Sequence, residues 1–137
     1  MRYLLDTCVL SDLASRRPSQ PVVAWIGEQD ENALALSVLT LGELHKGIAG
    51  ISDERRRRKL EAWVEGDLRE RFEGRILPVD EVVARTWGRI QARAPRSLPV
   101  VDGLIAATAI AHGLVVVTRN VHDMEPSGVE VLDPWSR

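Results

Sequence analysis

Cysteine is almost absent from this chain of 137 residues: Cys8 is the only one, so no disulfide can form within the chain. With no CxxC or related Cys/His spacing, a thiolate metal site is also excluded, and a reducing cytoplasm is the expected setting. No apolar run approaches the roughly 18 residues of a membrane span. The opening MRYLLDTCVLSDL reaches Asp6 too early to hold the apolar core of a signal peptide. A soluble, intracellular protein with no membrane partner is therefore expected. An excess of positive charge is missing too. With 18 Lys and Arg against 20 Asp and Glu, the net charge is -2, which argues against coating nucleic acid through a uniformly basic surface and confines any such contact to a local patch. Neither GxGxxG nor GxxxxGKS/T occurs, which disfavours dinucleotide or nucleoside triphosphate binding.

What is present is 45% hydrophobic content in a chain of single-domain size, enough for one core over residues 1–137. Short apolar runs at 2–5, 33–37, 75–79, 114–118 and 129–132 read as strands. Between them, Leu60, Trp63, Val64, Leu68 and Phe72 recur at helical spacing and predict a helix over 53–73, with Gly66 as its weak point. Ser19 and Pro21 predict the start of a helix over 20–29, and Asp80 the cap of one over 81–93. Residues 102–112 are apolar on nearly every side and end at Gly113, as a buried helix would, while Pro95 and Pro99 make 94–99 a loop. Strands alternating with helices imply a mostly parallel sheet in a three-layer α/β/α sandwich.

In an open parallel sheet, ligands bind outside the carboxyl ends of the strands. Asp6 ends the first predicted strand, Asp123 follows the fourth through RNVH, and Asp102 opens the buried helix. Glu43 lies about a turn into the helix after the second strand. Taken singly, Asp102 could be a helix cap and Asp6 the start of a turn. Taken together, four acids at one sheet edge, in apolar surroundings and without compensating Lys or His, would repel one another unless a divalent cation neutralised them. Hard oxygen ligands select Mg²⁺ or Mn²⁺.

The stretches LLDTCVLSDL at 4–13, SVLTLGEL around Glu43, VVDGLIAATAIAHG at 100–113 and VVTRNVHDM at 116–124 together resemble the PIN-domain ribonucleases, in particular VapC-type toxins of bacterial toxin-antitoxin modules. The resemblance covers nearly the whole chain. It implies that Asp6, Glu43, Asp102 and Asp123 are the catalytic, metal-binding acids of an Mg²⁺-dependent endoribonuclease, with Thr7, Thr118 and Asn120 orienting them. The partners to expect are an RNA substrate, a cognate antitoxin and a second copy of the chain as a homodimer. In two places the sequence departs from the family pattern: Cys8 stands where an Asn is common, removing an amide donor near the site, and Met124 replaces a frequent aromatic.

The remaining polar candidates are weaker. Arg119 beside the acids, and Arg93 and Arg96 just before Asp102, are candidate phosphate contacts. His45, His112 and His122 have no metal-ligand spacing, and Trp25, Trp63 and Trp87 fall on apolar helical faces and read as core or interface. The basic run Arg55 to Lys59 reads as a solvated helix face. Two rival functions stay open: a phosphatase with an aspartyl nucleophile, which would want a second Asp where Cys8 stands, and a non-catalytic partner-binding module acting through an antitoxin–DNA complex.

Overall fold

The computed structural model describes residues 1–137. Five strands, β1 (Tyr3–Leu5), β2 (Leu34–Ser37), β3 (Ile76–Leu77), β4 (Val115–Val117) and β5 (Val131–Leu132), form one sheet in the order β3-β2-β1-β4-β5. Every pairing is parallel. Side chains alternate across it: Tyr3, Leu5, Leu34, Leu36 and Val117 enter one core, and Leu4, Ala35, Leu77 and Val116 enter the other. With both faces buried, the strands read as unbroken apolar runs.

The chain first works outward from β1 to β3, then returns to the other side of β1. Right-handed crossovers running in opposite directions place their helices on opposite faces. The first face carries α1 (Thr7–Leu13), α2 (Gln20–Glu28), α3 (Val38–Ala49) and α4 (Glu54–Ala62), which continues as a π-helical stretch, Trp63–Leu68, into the short α5 (Arg69–Arg71). The second carries α6 (Glu81–Arg93), α7 (Val100–His112) and α8 (Val121–Met124). This is the three-layer sandwich that the alternation of elements implied.

Several boundaries differ from the sequence reading. The helix expected over 53–73 is continuous in direction but changes hydrogen-bonding pattern at Trp63–Leu68, the stretch that contains Gly66. Helix α7 starts two residues early, at Val100 with Pro99 as its N-cap, so Asp102 sits in the first turn and does not cap it. Asp80 does cap α6, accepting from the Val83 amide at 3.0 Å. Helices α1 and α8 were not foreseen. Both follow directly on strand ends and supply site residues.

Candidate metal-carboxylate site

The site sits where the chain reverses direction in the sheet, at the carboxyl ends of β1 and β4. Asp6 leaves β1 as the N-cap of α1 and is only 4% exposed. Its Oδ1 accepts from the Thr7 amide at 2.8 Å, and its Oδ2 accepts from the Thr118 hydroxyl at 2.8 Å. Thr118, at the end of β4, is itself fixed because its Oγ1 accepts from the Asn120 amide at 3.0 Å. Asn120 therefore contributes through its main chain, and its side chain makes no hydrogen bond.

Glu43 reaches the same place from α3. Ser37 ends β2 and caps α3 by accepting from the Leu39 amide at 3.1 Å, which sets the helix phase so that Thr40 and Glu43 face α1. The Thr7 hydroxyl donates to Glu43 Oε1 at 2.5 Å and lies 3.3 Å from Thr40 Oγ1. One threonine thus links two acids, through its amide to Asp6 and through its hydroxyl to Glu43. Thr40 is fully buried and had not been singled out in the sequence, where it looks like one more small residue of an apolar helix.

Asp102 and Asp123 arrive from the other layer. Asp102 is half-buried in the first turn of α7, where the helix dipole favours an acid. Its position depends on a close contact between helices: a Cβ on Gly103 would lie 3.0 Å from Gln91 Nε2 and 3.1 Å from the Trp87 ring. Any larger residue there would force those side chains to give way by a few tenths of an ångström. Asp123 is exposed on α8, whose neighbouring Met124 is fully buried in the second core.

The charges of the acids act on one another. Burial, and then the charges of Asp6, Asp123 and Glu43 in that order, push Asp102 up to about 6. Asp6 is also raised, first by burial and in smaller part by Glu43, against the lowering effect of its hydrogen bonds to Thr118 and Thr7. None of the four forms an ion pair with Lys, Arg or His. The donor chemistry fits a hard divalent cation. The side chains do not close into a cage, since no three acidic, thiol or imidazole groups converge tightly enough to hold an ion alone. Mg²⁺ keeps several waters and needs few protein ligands, so an open set suits it better than a cage would.

Cys8 is half-buried, 3.5 Å from Thr118 Oγ1 and 3.9 Å from Asp6 Oδ2. Burial and then the Asp6 charge raise its thiol above the usual range, the opposite of what a nucleophile needs. His45, His112 and His122 are all exposed. Trp25 is core, whereas Trp63 and Trp87 are partly buried against the first core and the α6–α7 seam. Arg119 stacks over the Trp135 ring at 5.5 Å, and Arg96 is tied to α8 through the carbonyl of His122.

Residues 3–122 match the PIN domain family. The chain is 38% identical over 135 residues to the VapC ribonuclease Y4jK of Sinorhizobium fredii, covering 96% of each protein. It is 36% identical to the toxin FitB of Neisseria gonorrhoeae, covering 96% of this chain and 97% of that one. The crystal structure of FitAcB from the same organism superposes with a TM-score of 0.94 at 35% identity, covering 98% of this chain and 99% of that one.

Proposed function

Because the chain belongs to the PIN-domain family, we propose that it is a divalent-cation-dependent endoribonuclease and the toxin of a toxin-antitoxin pair. The observation that carries this is the convergence of Asp6, Glu43, Asp102 and Asp123 from both helical layers onto one sheet edge, with no cation paired to them and Asp102 raised to about 6 by its neighbours. The substrate class, RNA, comes from similarity to a VapC ribonuclease; the acids alone would suit other phosphoesters.

Asp6, Asp102 and Asp123 are the residues that would hold Mg²⁺ or Mn²⁺. The cation supplies Lewis acidity toward water and the phosphodiester. Glu43, fixed by the Thr7 hydroxyl, orients the attacking water and accepts its proton. Thr118 and the Thr7 amide hold the Asp6 carboxylate in one rotamer, which spares the site that ordering cost on binding. Cys8 supplies no acid two residues after Asp6, so the aspartyl phosphatase reading lacks its second group. A non-catalytic binding module would have no use for four mutually repelling acids.

A toxin acting on its own cell's RNA requires a neutralising partner. A cognate antitoxin that places an Arg among these carboxylates would satisfy them with charge-assisted hydrogen bonds and exclude cation or substrate. The test is incubation of the purified protein with RNA in Mg²⁺, in Mn²⁺ and in EDTA, with and without the protein encoded beside it. Cleavage only with a divalent cation, and suppressed by the neighbour, supports the reading. Cleavage that persists in EDTA refutes it.

A further inference from the structure

We propose that the RNA strand reaches the acids along α6, its phosphates resting on a ladder formed by Arg89, Arg93 and Arg96. The proposal rests on the ribonuclease reading and adds the path of the substrate. Arg89 and Arg93 are exposed, stand one helical turn apart, and line a single cleft with Thr86, Pro126 and Ser127. The far wall of that cleft, Pro126 and Ser127, belongs to the turn that follows α8. Arg96, in the next loop, donates to the His122 carbonyl at 2.5 Å. That places its guanidinium one residue from Asp123. The three arginines therefore run beside α8, the helix that carries Asp123, and its following turn.

Arg89 and Arg93 form no hydrogen bond or ion pair, and Arg96 is held only by His122. Arg85, one turn earlier on α6, lies 3.8 Å from Glu81, but Arg89, Arg93 and Arg96 face no carboxylate. The more conspicuous basic run, on α4, is partly neutralised: Arg58 pairs with Glu54 at 2.6 Å, and Arg57 donates to the Ile51 carbonyl and approaches Glu61 at 4.0 Å. On a protein of net charge -2, a polyanion approaching four acids needs local compensation, and arginines at the rim that face no carboxylate provide it. Residues four apart on a helix are about 6 Å apart at Cβ, a step comparable with successive phosphates of an extended strand. Arginine binds such phosphates through paired, charge-assisted hydrogen bonds.

The experiment measures binding of an unstructured, fluorescently labelled single-stranded RNA to protein carrying Asp6→Asn, which prevents cleavage, over a range of salt concentrations. Adding Arg89→Gln and Arg93→Gln together is expected to flatten the slope of log affinity against log salt by about 1.4, near 0.7 for each lost phosphate contact. The melting temperature should stay unchanged because both side chains are exposed. Arg55→Gln with Lys59→Gln removes the same charge from α4 and is expected to leave the slope as it was. An unchanged slope in the α6 variant, or an equal loss in the α4 variant, overturns the path. So does a result in which the α6 variant loses affinity only for the cognate antitoxin or for duplex DNA. If the unmutated protein cleaves RNA while the slopes fail, the path alone is wrong; if it cleaves none, the ribonuclease reading falls first.

Discussion

The two halves of the acid site are built differently. Asp6 and Glu43 are locked by hydrogen bonds that converge on Thr7 and Thr118, whereas Asp102 feels only burial and the charges of its three neighbours, and Asp123 is exposed. The first half is fixed by polar contacts at strand ends and the second by the packing of α7 and α8. A site made this way has one half preorganised by hydrogen bonds and one half without a polar partner, and a divalent cation would complete it.

The largest effect expected from this contrast is the loss of catalysis on either side of it. Asp6→Asn and Asp102→Asn should each lower RNA cleavage by about 10³-fold or more, the several kcal/mol that a hard anionic ligand confers through its cation. Both should keep their circular dichroism spectrum. Single-turnover rates at saturating RNA check this, and near-normal activity in either variant removes that residue from the site.

Removing a support should cost less and should separate the halves. Thr118→Val leaves Asp6 without its hydroxyl donor and should reduce cleavage about 10- to 100-fold, with a higher Mg²⁺ concentration needed for half-maximal rate. On the other side, Gly103→Ala forces Trp87 and Gln91 to give way by a few tenths of an ångström and should shift Asp102. A smaller residue at position 87 should restore part of the lost rate, which a general loss of stability would not allow. Equal responses of the two variants to Trp87→Leu would erase the distinction.

The pH dependence should follow from Asp102. Its pKa is raised on folding, from 3.8 to about 6, so the folded state binds the proton more tightly than the unfolded state. Without divalent cation, stability should therefore fall as pH rises from about 4 through 6 and stay low above that. Asp102→Asn should shallow this slope, leaving the part that Asp6, also raised by burial, contributes, and raise the melting temperature at pH 8 by a few degrees at most, since the group is half-exposed and solvent screens the repulsion. Thermal scans across that range check both. The smallest effect belongs to Cys8: because its thiol is held protonated, Cys8→Ala should change cleavage by less than about threefold.

The same contrast explains what the sequence revealed. The acids were legible only as a group, because each alone reads equally as a cap or a turn while four at one sheet edge repel one another, and Asp80 was legible as a cap because its position fixes a hydrogen bond three residues on. Helix α1 was missed because TCVLSDL is too short to show a helical period after a strand, and α8 because four residues show no period at all. The start of α7 was hidden by Pro99, Val100 and Val101, whose apolar character looks like loop or strand. The roles of Thr40 and Gly103 depend on contacts across elements, Thr40 with Thr7 and Gly103 with Trp87. No local pattern in the chain announces such contacts.

The central claim is that a divalent cation completes the half of the site that the protein leaves unpaired. It is tested most directly by thermal unfolding at pH 8 in millimolar Mg²⁺ and in EDTA, for the unmutated protein and for Asp102→Asn. Mg²⁺ should raise the melting temperature of the unmutated protein, as any ligand specific to the folded state must, and should do so far less for the variant. Identical melting temperatures of the unmutated protein with Mg²⁺ and with EDTA would contradict the account.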